Sequence, residues 1–495
     1  MERQYRIIFI AVVAVKLSLA YFFPITSDEA YFYSWVDQPD FTYYDHPPMT
    51  GWLVYLFTRL GGHVFFPRLL SILCGASIAI GIYGFVGRST GDREKARLIS
   101  LFYLLSPLHM LFVVIATDTP LCLFVFFSGL LLHVGIRSDR RWLILISGCL
   151  WGLAILSKYF AGLLLFAYAG YFLIRRDRNT LINGFVWAAG AAPLILLHLY
   201  WNYNHCWTNV LFNVINRNRD VQLNIPGFFV FLGFQVYLAT PWLLWRLFQS
   251  RTAVRQGLRA GSDLFACLYG IPLAVFGLVS LHNIGLHWTL SFYPFLFLLL
   301  MAVDTRRIGK LVRYSAVFSL LHVVPVMIVL SLPVETFRGK PYYHDLVLSV
   351  HGGEIYRALE KRYGSSFVMA TNGYYTSGAM TYHGGERFIV FHDDSKHGRQ
   401  DDRVTDFRTL DGRNILILST LPVEQDYRPY FDAVADETIE VRQQTFYVTV
   451  GTGFRYAAYR DGFLRRILEN WYDPPDFLPR GDCFFRETYF PETIR

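Results

Sequence analysis

Charge is scarce in this chain, and cysteine scarcer. Only 17% of its 495 residues are Asp, Glu, Lys or Arg, against 53% hydrophobic, and the mean hydropathy is +0.31. A soluble globular chain carries about 25% charged residues, so that class is excluded. The six cysteines are scattered without the paired spacings that hold zinc. Four of them fall in apolar runs; Cys206 and Cys483 are expected to face an oxidising compartment, and no bridge between them is expected. No Gly-rich phosphate fingerprint opens a helix in the tail, and no nucleotide site is visible. Low-complexity segments and clear internal repeats are also lacking, which weighs against an inverted-repeat transporter.

What the chain has in quantity is aromatic and aliphatic surface: 43 Phe, 32 Tyr and 11 Trp suit a lipid-facing bundle with interfacial aromatic belts. Runs long enough to span a bilayer recur through the first two thirds. About eleven are read, at 7–24, 67–86, 98–115, 120–135, 142–157, 160–174, 181–201, 226–245, 264–281, 288–303 and 314–333. The first lacks a small-residue cleavage site and is followed by ten more, so it reads as a helix and not as a signal peptide. About twenty Lys and Arg lie in the segments 1–6, 87–97, 137–141, 175–178, 246–263 and 304–313, against about five in the opposite short loops. That bias places the N-terminus in the cytoplasm and residue 28 outside. It also accounts for the net charge of +8 without a nucleic-acid partner. With an odd number of spans, everything after Pro333 is outside as well. There, β-rich runs at 365–370, 387–392, 414–419 and 445–450 alternate with a helical pattern at 343–363. The fold expected is therefore mainly α: a polytopic membrane helix bundle, residues 1–333, with a small C-terminal periplasmic α/β domain, 334–495.

The outer loops hold the chemistry. The first carries Asp28 and Glu29, then Asp37, Asp40, Tyr43, Tyr44, Asp45 and His46, and the rigid Pro47–Pro48 before an interfacial amphipathic segment, 49–60. Carboxylates beside a membrane are costly unless solvated or functional. Asp28 also suits a helix N-cap, and so does Asp118 in the short ATDTP loop, with proline in the first turn. The functional alternative for Asp118 is a second carboxylate converging on Asp28. Lys158 in LSKYFAG, with Tyr159 beside it, places a cation at an outer turn where it can hold a lipid-linked phosphate or snorkel to the headgroups. Arg68 has a similar claim, and Lys16 sits mid-span without an identifiable partner. Later loops offer His205, Asn213, Asn216, Arg217 and Arg219, then His282, Asn283, His287 and Trp288. Their spacing matches no metal motif, although Asp28 and Asp118 could share a divalent cation; no other cofactor is expected.

Taken together, DEAYFYSW…YYDHPP, TDTP, SKYFAG and the late HW pair resemble the polyprenyl-phosphate-sugar-dependent glycosyltransferases of the GT-C fold. The similarity is to the bacterial branch related to the dolichyl-phosphate-mannose protein mannosyltransferases, which includes the aminoarabinose and galacturonic acid transferases of lipid A and lipopolysaccharide core. It covers roughly residues 5–333. The resemblance implies an integral-membrane transferase of the bacterial inner membrane. Its donor would be an undecaprenyl-phosphate-linked sugar and its acceptor a lipid or glycan at the periplasmic face. It also implies that Asp28 is the catalytic carboxylate and Asp118 the second-loop acid. Chemistry agrees, because a lipid-phosphate donor carries its own leaving group. The enzyme needs a base for the acceptor, and cations for the departing phosphate, a task for Lys158, Arg68 or Arg217. Displacement from one face would invert the anomeric centre. Glu29, Tyr44, Asp45, His46, Tyr159 and His287 complete the expected donor and acceptor site. A protein acceptor, a polysaccharide polymerase or ligase, a lipid-linked-sugar flippase and a receptor are the rival readings. The acid-rich first loop, and Lys16 as the one obvious mid-span charge, weigh against the last three.

Overall fold

The computed structural model describes residues 3–110, 113–219, 222–282 and 285–493. The chain packs as two compact units. The first is Met1–Phe22, Leu60–Leu197 and Asp220–Leu330; the second is Phe23–Arg59, His198–Arg219 and Ser331–Arg495.

The first unit is helical. Five helices among the described residues are long and apolar enough to cross a membrane: Arg3–Phe22, Phe65–Thr90, Asp118–Arg137, Arg178–Tyr203 and Thr305–Ser331. A sixth results if Ile225–Ala239 and Pro241–Gln249 count as one span bent by 76°. The bend has a local cause, since Thr240 has a φ of +59° and Pro241 supplies no N–H to continue the ladder. The remaining expected spans are shorter or broken. Arg93–Leu104 stops ahead of Pro107, whose ring disfavours helical geometry at Ser106. Arg141–Ile155 and Asp263–Val279 have 15 and 17 residues. The run at 160–174 divides into the 3-10 turn Tyr159–Gly162 and the helix Leu165–Arg175. The run at 288–303 becomes Leu286–Phe292, Tyr293–Leu298 and Leu299–Ala302, alternately 3-10, α and 3-10.

Helix association uses small residues and hydroxyls, as expected where apolar burial gives no preference for helix over lipid. A Cβ on Gly148 would strike the Trp187 carbonyl, and one on Gly190 the Leu145 carbonyl, so these two helices approach backbone to backbone. Ser128 and Ser147 donate to each other's carbonyls at 2.9 and 2.7 Å, and the Tyr168 hydroxyl donates to Ser128. Lys16 finds its partner: Nζ, fully buried, donates to the His109 carbonyl at 2.8 Å. Phe185, Leu196, Leu199, Leu320 and Leu321 are exposed, a surface suited to lipid. The chain is a multi-pass membrane protein, mainly α.

The second unit is α/β. Its sheet contains β1 (Val368–Thr371), β2 (Ile389–Val390), β3 (Ile415–Ser419), β4 (Phe431–Val441) and β5 (Gln444–Phe454), in the order β2-β1-β3-β5-β4. β1 runs parallel to β2 and β3; β5 is antiparallel to β3 and β4. The helix Tyr343–Tyr363 has the bounds expected, and four of the five strands fall on the expected runs. β4 was not expected. It is an edge strand whose exposed positions are acidic and small, and such a strand lacks an apolar signature.

One expectation is corrected here. Cys206 and Cys483 form a disulfide, joining residues 277 apart in sequence with Cα atoms 4.4 Å apart. Beside it the Cys206 amide donates to the Asp482 carbonyl and the Trp207 indole to the Pro479 carbonyl. No short spacing announces a link across 277 residues; only the fold brings the two ends together. A native bridge of this kind contributes about 2–5 kcal/mol. Cys206→Ser is therefore expected to melt well below wild type in detergent, and reductant should lower the wild-type melting temperature towards the variant's. A melting temperature insensitive to both changes would contradict a stabilising bridge.

Candidate active site

Two polar centres stand out, one in each unit. In the helical unit, Asp118 does not act as the N-cap its sequence suggested. Thr117 occupies that position without a side-chain bond, and Asp118 is the first helical residue. Its carboxylate turns instead to Lys158, whose Nζ donates to Oδ2 at 2.6 Å, with side-chain exposures of only 12% for Lys158 and 5% for Asp118. His287 Nε2 lies 3.7 Å from the same oxygen. Asp118 Oδ1 is buried with no hydrogen-bond partner among the described residues. The SKYFAG turn and the HW pair also meet through their rings. Phe160 and Trp288 lie 4.0 Å apart between centroids, and the Lys158 ammonium sits 5.2 Å from the Phe160 centroid. An ammonium has three donors. One is spent on Asp118 here, leaving capacity for an anion in a site of low dielectric.

In the other unit, the first loop opens with a capping box. Thr26 Oγ1 accepts from the Glu29 amide at 3.3 Å, and Glu29 Oε2 accepts from the Thr26 amide at 3.1 Å. Glu29 is thus buried in a structural task, and the cap expected of Asp28 is taken by Thr26. Asp28 is exposed and makes no hydrogen bond or ion pair among the described residues.

Asp45 is the opposite case. It is buried, its Oδ1 accepts from the Tyr31 hydroxyl at 2.9 Å, and His46 Nδ1 lies 2.8 Å from the same oxygen. Burial opposes ionisation of Asp45, but the His46 charge and the Tyr31 hydroxyl outweigh it and hold the carboxyl below the usual carboxylate range. Burial pushes Tyr374 up to about 12, aided by the charges of Asp45 and Asp28. Burial lowers the Arg217 guanidinium against the pull of Asp45.

The DHPP turn is held by residues with no motif of their own. Asn209 Nδ2 donates to the carbonyls of Tyr44 and His46, Asn213 to that of Asp45, and Gln400 Oε1 accepts from the Tyr44 amide. Arg403 pairs with Asp40 and covers the Trp201 ring at 4.9 Å. Tyr44 is fully buried against Phe212 and Tyr472.

The structure thus brings Asp118, Lys158 and His287 together in one unit, and Asp45 and His46, with Arg217 in their electrostatic field, in the other. Arg68 is fully buried and donates to the Ala20 carbonyl at 2.8 Å. Tyr159 opens the 3-10 turn after Lys158. Asn283 lies outside the described residues. No motif marks Asn209, Gln400 or Arg403 as site-building residues, because each is an isolated polar residue far in sequence from what it holds; Tyr31 lies within DEAYFYSW, and its hydroxyl reaches Asp45 14 residues on. No group of three or more His, Cys, Asp or Glu positioned to hold a metal occurs among the described residues.

Comparison with known proteins agrees with this architecture. Residues 45–201 match the family described as dolichyl-phosphate-mannose-protein mannosyltransferase. A lipid A galacturonosyltransferase, RgtD, from Rhizobium johnstonii is 27% identical over 245 residues, 46% of this chain and 51% of that one. The chain therefore matches about half the length of that curated relative. Two crystal structures of ArnT from Cupriavidus metallidurans share the fold. The one bound to undecaprenyl phosphate has a TM-score of 0.63 at 14% identity, covering 91% of this chain and 98% of that chain. The apo state gives 0.62 at 15% identity, covering 90% and 98%. The matched segment, the relative and the fold point the same way: this chain has the GT-C fold of membrane glycosyltransferases.

Proposed function

We propose that this chain transfers a sugar from an undecaprenyl-phosphate donor to lipid A or lipopolysaccharide core at the periplasmic face of the inner membrane, with inversion. In this reading Asp28 deprotonates the acceptor hydroxyl, and Lys158, held in place by Asp118, binds the donor phosphate and stabilises the charge that grows on it as it leaves. Asp45 and His46 shape the acceptor side, Arg217 adds positive charge, and His287 lies beside Asp118. The observation that carries the reading is the buried Asp118–Lys158 pair with His287 beside it, which fixes a cation in an apolar helical unit. The ArnT structure bound to undecaprenyl phosphate supports the donor class, and the galacturonosyltransferase relative supports the acceptor class. The Cys206–Cys483 disulfide supports an oxidising compartment for the second unit, and hence a cytoplasmic N-terminus. The functional boundary at 333/334, with catalytic membrane part before it and outer α/β domain after it, belongs to the same reading.

Mass spectrometry of lipid A and core oligosaccharide from cells with and without the gene tests it. Loss of one sugar mass, restored by wild type and not by Asp28→Asn, is the expected result. An unchanged lipopolysaccharide profile together with a change in glycoproteins would favour a protein acceptor, the reading that the mannosyltransferase match at 45–201 supports. No change in either pool would sink the transferase assignment.

A further inference from the structure

The helical unit contains a second cluster of charged side chains, far from Asp118. The helix Asp118–Arg137 has 20 residues, so its two ends lie about 29 Å apart, close to the thickness of a bilayer's hydrocarbon core. At the Arg137 end, where Leu165–Arg175 finishes and Asp263–Val279 begins, a cavity of about 230 Å3 is lined by Arg137, Arg175, Arg259, Asp263, His133 and Tyr171. Three guanidiniums face one carboxylate, a net charge of +2 with His133 neutral.

The groups are arranged rather than merely gathered. Arg175 donates from Nε and Nη2 to the same oxygen, Asp263 Oδ2, at 2.8 and 2.6 Å. Asp263 Oδ1 is left buried without a hydrogen-bond partner among the described residues. Gly261 has a φ of +119°, and a Cβ there would fall on the Arg137 guanidinium. Glycine is therefore what allows Arg137 to lie across the backbone at the cavity wall. Asp263 Oδ1 can accept from a further donor, and guanidiniums with five N–H donors each line the same cavity, so a ligand bearing both a phosphate and a hydroxyl matches it.

We propose that this cavity binds the headgroup of an anionic phospholipid whose phosphodiester carries a hydroxylated substituent, as in phosphatidylglycerol. The guanidiniums take the phosphate, and Asp263 Oδ1 accepts from a headgroup hydroxyl. All three arginines are solvent-exposed; Arg137 and Arg175 end apolar helices and Arg259 lies in the turn just before Asp263–Val279, the depth at which headgroups sit. The proposal rests on the chain's being a membrane protein and not on its transferring sugar.

Native mass spectrometry of the delipidated full-length protein in detergent, titrated with phosphatidylglycerol, phosphatidylcholine, undecaprenyl phosphate or inorganic phosphate, tests it. Phosphatidylglycerol should bind at least about tenfold more tightly than phosphatidylcholine, and Arg137→Ala with Arg259→Ala should abolish that margin. Arg313→Ala, a basic residue outside the cavity, should leave it intact. Should the double variant fail to fold, Arg259→Glu alone, at an exposed position, should reduce phosphatidylglycerol binding by at least about tenfold. Equal binding of the two phospholipids overturns the proposal, as does full retention of phosphatidylglycerol by the variants. Loss of undecaprenyl phosphate binding as well as phosphatidylglycerol binding from the double variant overturns the hydroxylated headgroup, and binding of inorganic phosphate alone overturns the lipid. None of these outcomes depends on transferase activity, so failure here leaves the transferase reading standing.

Discussion

Asp28→Asn is expected to cut sugar transfer by about 100-fold or more in membranes that contain normal amounts of inserted protein. The substitution keeps the shape of the side chain and removes its capacity to take a proton. Structure gives it little else to disturb, since Asp28 is exposed and makes no hydrogen bond or ion pair among the described residues. The helix beside it is capped by Thr26 and Glu29, both untouched. Loss of activity with an unchanged melting temperature would thus report on chemistry. Near-normal transfer would remove Asp28 from the base role and leave Asp45 as the next carboxylate in the same loop. Asp45 suits that role less well, because its engagement by Tyr31 and His46 holds its carboxyl at a depressed pKa and makes it a weaker base.

Breaking the Asp118–Lys158 pair should damage both fold and function, and the two kinds of damage can be separated. The pair is buried in an apolar unit at 2.6 Å. Removing one partner leaves the other charge uncompensated, a loss of about 3–5 kcal/mol. Asp118→Ala and Lys158→Met are therefore each expected to melt markedly lower than wild type in detergent. The double variant should recover much of that stability, since replacing both charges with apolar groups avoids the stranded ion. Transfer should not recover with it. If Lys158 holds the donor phosphate, the double variant regains its fold while remaining inactive. A double variant that regained both would reduce the pair to a structural clamp.

How much of this was legible beforehand depends on the range over which each feature is set. The helix Tyr343–Tyr363 and four strands follow from local periodicity, and they appear where that periodicity puts them. β4 does not, because an edge strand buries little, and Asp432, Asp436, Glu437 and Glu440 mask its alternation. Near Asp28, local sequence pointed to a cap at the wrong residue. Thr26 and Glu29 satisfy the same rule three residues apart, and the chain uses them. Asp118 also resembled a cap, but a buried carboxylate gains more from an ammonium than from a backbone amide.

By itself, then, the sequence determined the material of the protein: apolar helices, a charge bias between their ends, an α/β tail, and a shortlist of polar residues in the loops between. Those depend on composition and short-range pattern. The tertiary structure alone decided which members of the shortlist meet. Lys158 and His287 reach Asp118 from 40 and 169 residues away, Asn209 grips the DHPP turn from more than 160, and Cys206 finds Cys483 across 277. No local rule encodes such pairings. They exist because a buried charge or carbonyl must find a partner within the fold, and the partner is whichever residue the packing of the helices delivers.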